Sequence, residues 1–322
     1  MSVTPPAGAS YSSPMGEGSP PMGEGEGMAR ETVAPSRASL PRRVRLAIGR
    51  NILAPVAGLI LLAVVTMALL APLLAPHDPN AQSLLDRLKP PLWLAGGTAA
   101  YPLGTDELGR DILSRIVYGS RLAIAVGVMA VLVAGAFGTL VRIVSGYVGG
   151  AVDMVAMRVA DIQLAFPSIL LALVVIAVLG PNVVNLVLVL GFTGWVSYAR
   201  IVRSEVLALR AREFVVAAEA GGAGPLYIMR RHIFPNVIAP FVVISTVQVA
   251  SVIIAEASLS YLGLGVPPDI VTWGGMLSEG QLYLGSAWWL ATFPGLAIMA
   301  TVLPINILGD VVRDVLDPKN RR

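Results

Sequence analysis

The residues able to do chemistry in this sequence are few, and their spacing excludes most catalytic arrangements. There are two histidines, His77 and His232, too few and too far apart for a metal site. There is no cysteine, hence no disulfide framework and no thiolate ligand. No Gly-x-x-x-x-Gly-Lys-Ser/Thr run is present to cradle phosphates, so the chain is not expected to hydrolyse ATP. Neither a His-Glu-x-x-His helix nor a Ser–His pairing is available. What remains are single polar residues set in long apolar runs: Asp161, Gln163 and Ser168 around Pro167, then Gln248 and Glu256. A charge in hydrocarbon costs at least a few kcal/mol, which makes such residues candidates for a translocation path. Asp161 is shallow, so an interfacial anchor or a helix-packing role is equally open. Conduction, coupling and scaffolding are the functions left.

A second kind of chemistry is concentrated in Arg200–Pro240, a polar island between apolar runs. Ala217, Ala218 and Ala220 are strong helix formers, with Glu213 and Glu219 exposed among them. Gly221, Gly222 and Gly224 break that helix, as glycines do just past a helix end. Pro225 suits the first turn of a second helix, which carries Arg230 and Arg231 and is expected to end near Pro235. The island therefore reads as helix, glycine turn and short helix held at a membrane surface. A plain basic loop obeying the positive-inside rule is the simpler alternative.

The elements that must position these residues are membrane spans. The chain has 322 residues, 55% hydrophobic and 13% charged, with mean hydropathy +0.74. Soluble domains carry roughly 25% charged residues, so this is an all-α polytopic membrane protein. Residues 1–40 are rich in Gly, Pro, Ser and Glu and repeat Pro-Met-Gly-Glu-Gly; they are expected to be a disordered cytoplasmic tail rather than a signal peptide. Arg37, Arg42, Arg43, Arg45 and Arg50 then orient the first of six expected transmembrane helices.

Those helices are expected over about Ile52–Ala75, Arg121–Val148, Arg158–Leu179, Val183–Ile201, Val237–Leu262 and Ala287–Leu308. Residues 41–118 hold the first helix and an outer loop, in which Thr105 with Leu108 opens a capped helix. Residues 119–311 form the core, with a cytoplasmic loop over 200–236, and 312–322 a cytoplasmic C-terminal tail. Arg142 is placed to snorkel to the inner surface. Gly146–Gly150 with Asp153 are expected to form a short inner turn, and residues 266–284 an outer loop. Trp195 and Tyr198 read as interfacial anchors, and Trp273, Trp288 and Trp289 as an outer aromatic belt. Most Arg and Lys fall on the side that an inside N-terminus predicts for the inner loops, so both termini are expected in the cytoplasm.

Ala217-Ala218, Gly222 and Ile233-Phe234-Pro235 resemble the EAA loop of ABC importer permeases. Leu103-Gly-Thr-Asp-Glu-Leu-Gly-Arg-Asp111 and Glu256-Ala-Ser-Leu-Ser-Tyr-Leu-Gly-Leu-Gly265 resemble segments of the C-type subunits of dipeptide and oligopeptide transporters. The resemblance covers about Arg43 to Asp317. It implies the type I importer permease fold in the plasma membrane, a second permease subunit, two ATP-binding subunits and an extracytoplasmic solute-binding protein. ATP and magnesium would belong to the partner subunits; no cofactor is expected on this chain, and no nucleic acid. The residues that would couple to the ATPase are Glu213, Val216, Ala217, Ala218, Gly222, Ala223 and Arg231. Val216 departs from the family, which opens the motif with glutamate. Peptides are the substrate the resemblance implies; closely similar permeases carry nickel or other small solutes. A carrier driven by an ion gradient and a non-transporting scaffold are the rivals from other classes.

Overall fold

The computed structural model describes residues 52–316. The expected tail over 1–40, the arginine cluster Arg37–Arg50 and the basic residues Lys319, Arg321 and Arg322 lie outside this range. The described chain is helical, with one isolated bridge between Thr105 and Asp111. In chain order the helices are α1 (Leu53–Leu69), α2 (Ala71–Leu74), α3 (Ile112–Val148), α4 (Gly150–Leu164), α5 (Ser168–Leu179), α6 (Val183–Arg210), α7 (Glu213–Ala220), α8 (Pro225–Ile228), α9 (Phe234–Tyr261), α10 (Trp273–Gly280) and α11 (Trp289–Leu316).

The long helix α3 organises the bundle. Its 37 residues run about 55 Å at 1.5 Å per residue, well beyond a 30 Å hydrocarbon layer. It starts at Ile112, earlier than the expected Arg121, because Asp111 caps it by accepting from the backbone N–H groups of Leu113 and Ser114. Thr105 is not the cap: it is buried, and its hydroxyl donates to the Asp86 carbonyl and accepts from Lys89 N at 2.8 Å. α3 packs most extensively on α6. Gly138 permits this, since a Cβ there would lie 2.5 Å from the carbonyl oxygen of Trp195.

Among the described residues four helices are long and apolar enough to cross a membrane: α3, α6, the run from Pro225 to Tyr261, and α11. The crossing expected over Arg158–Leu179 is not one continuous helix. It is broken between α4 and α5, which meet at 87°. Pro167 has no N–H to donate and disfavours helical backbone at Phe166, so the chain turns there. Counted as one broken span, the pair makes five. The first expected span is also divided: α1 has 17 residues, and α2 follows after Leu70.

Other expectations are corrected in the same way. Asp153 belongs to α4 rather than to a turn; the turn is Gly149, with φ +72°. The helix after Pro225 does not end near Pro235. It passes through one π-helical turn, Met229–Ile233, straight into α9, with Pro235 directly after that turn. The loop over 266–284 contains α10, capped by Thr272. α6 and α11 run on to Arg210 and Leu316, so residues 312–316 are helix rather than tail.

Four of the five aromatic residues expected at the interfaces are internal. Trp273 is 1% exposed and donates to the Ile116 carbonyl at 3.0 Å; Trp289 donates to the Thr105 carbonyl at 3.2 Å. Only Trp288 of that trio faces outward. Trp195 and Tyr198 are buried too, donating to Gln163 Oε1 at 2.6 Å and Ser245 Oγ at 3.1 Å. An indole or phenol can sit in the core when its polar atom finds a partner.

At the α3 N-terminal end, the 76–111 segment is fastened by charge. Lys89, Ser83 and Tyr101 all hydrogen-bond the Asp86 carboxylate, with Lys89 the dominant partner, and lower its pKa to about 2. A depressed carboxyl pKa contributes stability above the unfolded value, near 4, and loses it as pH falls through the folded value. The segment is therefore expected to stay protected at pH 5 and above and to loosen between about pH 4 and pH 2. Hydrogen exchange at Ser83–Lys89 measures this, and Asp86→Asn should abolish the transition.

Candidate functional site

α7 and α8 form a helical hairpin at the end of the bundle where α3 and α6 terminate. Its turn follows from three residues. Ala223 N–H donates to the Ala218 carbonyl and Gly222 N–H to the Glu219 carbonyl, both at 3.0 Å. This is a Schellman closure, which needs a left-handed residue at the second position past the helix. Gly222 supplies it with φ +81°. Pro225 then opens α8 in its first turn.

One face of the hairpin is anchored. Val215, Ile228 and Ile233 are fully buried against Ile143 of α3, Val202 and Val206 of α6, and Val237 of α9, with Ala218 and Ala223 packed beside them. The Tyr147 hydroxyl donates to Glu219 Oε1 at 3.0 Å, tying α7 to the end of α3. Four large apolar side chains of the hairpin are nevertheless exposed: Phe214 (45% exposed), Val216 (52%), Leu226 (64%) and Tyr227 (56%). Glu213, Ala217, Gly222 and Arg231 are exposed with them. Six of the seven residues expected to couple thus lie on the hairpin, with Ala218 and Ala223 on its anchored side; Arg231 is on the π-helical turn that follows. The two glutamates flanking Val216 separate: Glu219 is held by Tyr147, while Glu213 stands free in the first turn of α7.

Behind the hairpin sits a charge clamp that the sequence did not suggest. Arg142 does not snorkel; it is fully enclosed. Its guanidinium donates to Asp153 Oδ1 at 2.8 Å, Ser145 Oγ at 3.0 Å and the Ala199 carbonyl at 3.1 Å, and it touches Met157. Arg203 closes on the same carboxylate from α6, with contacts of 2.8 and 3.1 Å to Oδ2. One acid therefore joins α3, α4 and α6. The remaining signal was Arg142 itself, a base inside an apolar run, but its partner is eleven residues on and across a helix break.

The residues expected along a translocation path divide. Asp161 pairs with Arg200 at 3.2 Å on the surface. Gln163 is fully engaged, donating to the Thr193 and Phe192 carbonyls at 2.8 and 3.3 Å and accepting from Trp195. Both hold α4 to α6. Pro167 and Ser168 are exposed at the break. Gln248 is half-buried in α9 beside Gly194. Glu256 is buried near the opposite end of α9 and accepts from Ser260 Oγ at 2.7 Å. The structure does not gather these six in one place.

At that opposite end, Asp106, Glu107 and Glu279 converge within 4.8 Å of one another. Two guanidiniums meet them: Arg110 bonds Asp106, Glu107 and Glu279 at 2.6, 3.2 and 2.9 Å, and Arg115 bonds Glu279 at 2.9 Å. Burial pushes the Glu107 carboxyl up; burial alone would lower Arg110, but Asp106 and Glu279 outweigh it and raise that group. The cluster fastens the 76–111 segment to α10.

A helical bundle with several apolar crossings defines a multi-pass membrane protein. The family described as "Binding-protein-dependent transport system inner membrane component" matches residues 134–322, and "N-terminal TM domain of oligopeptide transport permease C" matches residues 39–91. Similar proteins include the dipeptide transport system permease DppC of Haemophilus influenzae, 42% identical over 81% of this chain and 89% of that one. DppC of Escherichia coli is 44% identical over 82% and 88%, and the probable D,D-dipeptide permease DdpC of the same organism 37% over 81% and 86%. The chain belongs to the family of inner membrane components of binding-protein-dependent transport systems. It is accordingly a multi-pass protein of the inner membrane and a permease component of an ABC transporter.

Proposed function

We propose that the chain is the C-type permease subunit of an ATP-driven importer of dipeptides and oligopeptides. It forms the translocation path with a second permease, receives peptide from an extracytoplasmic binding protein, and rests on two ATP-hydrolysing subunits that carry ATP and magnesium. The observation that carries the coupling role is the hairpin α7–α8: one face locked into the bundle, with Phe214, Val216, Leu226 and Tyr227 exposed to a partner. Closure of the ATPase pair would push on these side chains, and Val215, Ile228 and Ile233 would pass the motion to α3, α6 and α9. The identity to dipeptide permeases supports the substrate class.

In this reading α1 with α2 and the broken pair α4–α5 complete six crossings, with both termini in the cytoplasm. The cysteine-free chain allows a clean test. Leu85→Cys, at a site 96% exposed, should react with an impermeant thiol reagent from outside the cell. Ala220→Cys, exposed on α7, should react only after permeabilisation. Reaction of both from the same side contradicts the topology.

An ion-gradient carrier would require buried ionisable groups or broken helices near mid-membrane; the α4–α5 break is of that kind, but Ala165, Phe166 and Pro167 at the break carry no ionisable group. The acids of α4 are instead paired with Arg142, Arg200 and Arg203. Co-purification of the two ATPase subunits with this chain tests the assignment. Recovery of the chain with its sister permease but without an ATPase, under conditions that preserve other transporters, contradicts it.

A further inference from the structure

Between the ends of α6, α9 and α11 nearest α7 lies a groove of about 610 Å³, a size typical of small-ligand sites. Its wall is apolar, formed by Ile201, Val243, Ile244 and Val247. Three charges face into this apolar setting: Glu205 from α6 and Asp310 and Arg313 from α11. Among the described residues none of the three has an ion pair or hydrogen bond. The acids of α4, by contrast, are all matched by arginines. The groove also holds Asn236 and Pro240 of α9. Pro240 has no N–H to offer the Asn236 carbonyl one turn earlier, which leaves that acceptor without its usual donor. Gly309 lets α11 approach Thr246 of α9 beside the groove, where a Cβ would meet the threonine hydroxyl at 2.9 Å.

We propose that this groove binds the free termini of the transported short peptide, with Arg313 taking the α-carboxylate and Glu205 and Asp310 taking the α-ammonium. The proposal rests on the reading of the chain as a peptide permease subunit and adds a binding site to it. The chemistry is that of a zwitterion. Two extended residues span at most about 7 Å. Residues three apart on a helix, as Asp310 and Arg313 are, have Cβ atoms about 5–6 Å apart. Opposite charges are thus offered at the spacing a dipeptide needs, and the Asn236 carbonyl is a further acceptor for the ammonium. An apolar helix of a second permease would be a poor occupant, because it would bury three charges without partners. A zwitterionic lipid head group shares the ammonium–anion chemistry, and the test separates it.

The experiment uses the purified complex with Val243→Cys in this chain, and Ala239→Cys as a second position on the same groove. Alkylation of the introduced thiol is followed by mass on this chain, in lipid-free detergent, with and without dialanine. At a dialanine concentration twice its Kd, labelling should slow about threefold by mass action. N-Acetyl-dialanine amide, which lacks both charges, should leave the rate unchanged, and Arg313→Gln should remove the protection. Equal labelling with and without dialanine at both positions overturns the proposal, as does equal protection by the uncharged analogue. Protection by phosphatidylethanolamine but not by dialanine overturns it in favour of lipid. ATP-driven dialanine uptake by the unmodified complex is measured alongside. Uptake without protection removes this site and leaves the peptide permease standing; absence of uptake removes the substrate reading itself.

Discussion

Replacing Gly222 with aspartate is expected to leave the protein in the membrane, paired with its sister permease, while ATPase docking weakens and uptake falls to background. Gly222 holds φ +81° inside the turn closed by the Ala223–Ala218 and Gly222–Glu219 hydrogen bonds. A non-glycine residue in that conformation costs about 1–2 kcal/mol. Among the described residues, chain neighbours aside, a Cβ there meets no atom within 4 Å, so the bundle itself is not disrupted. The damage is confined to the turn that shapes the hairpin, and so to the surface the hairpin offers the ATPase. Val216→Glu is the contrasting variant. Position 216 is 52% exposed, and a surface change of this kind usually stays within about 0.5 kcal/mol. It should couple normally. Pull-down of the ATPase subunits together with ATP-driven uptake reads both variants. Normal uptake by Gly222→Asp would remove the hairpin from the mechanism.

The second large effect is expected in the clamp behind the hairpin, and its sign depends on which partner is removed. Asp153→Asn leaves Arg142 fully enclosed with no counter-charge and Arg203 close by. Breaking a buried pair in this way costs about 3–5 kcal/mol. Arg142→Met leaves Asp153 still held by Arg203, and methionine fills an apolar space readily. Its cost should be about 1.5–3 kcal/mol, the scale of a hydrogen bond to a charged group. Half-life of the purified complex at a fixed elevated temperature ranks the two, since membrane complexes unfold irreversibly. Asp153→Asn should be the shorter-lived by a wide margin. Equal half-lives would mean that Asp153 carries no structural load on Arg142.

These two sites differ in how far the sequence reveals them. The hairpin is legible because its determinants are local: an alanine-rich run, glycines at the turn, and Pro225 in the first position of the next helix. Pro167 signals a bend, but Arg158–Leu179 reads as one span, and the 87° break depends on what α4 and α5 pack against. The clamp is not legible. Asp153 looks like a turn acid, and Arg142 like a residue bound for the surface. Only the fold of α4 back against α6 brings Arg203, fifty residues away, onto the same carboxylate. Trp273 and Trp289 mislead in a similar way. Their indoles suit an interface, but carbonyls of Ile116 and Thr105 lie within reach in the core. Pro235 reads as a helix end, yet the π-helical turn just before it carries the helix on into α9. Element positions follow composition and periodicity; pairings across long sequence separations do not.

The most direct test of the account is uptake of a labelled dipeptide into proteoliposomes holding this chain, its sister permease and the two ATPase subunits, with the binding protein supplied outside. Accumulation that needs internal ATP and the binding protein, and that is lost with Gly222→Asp, is the predicted result. Accumulation driven by a proton or sodium gradient in the absence of ATP would contradict it.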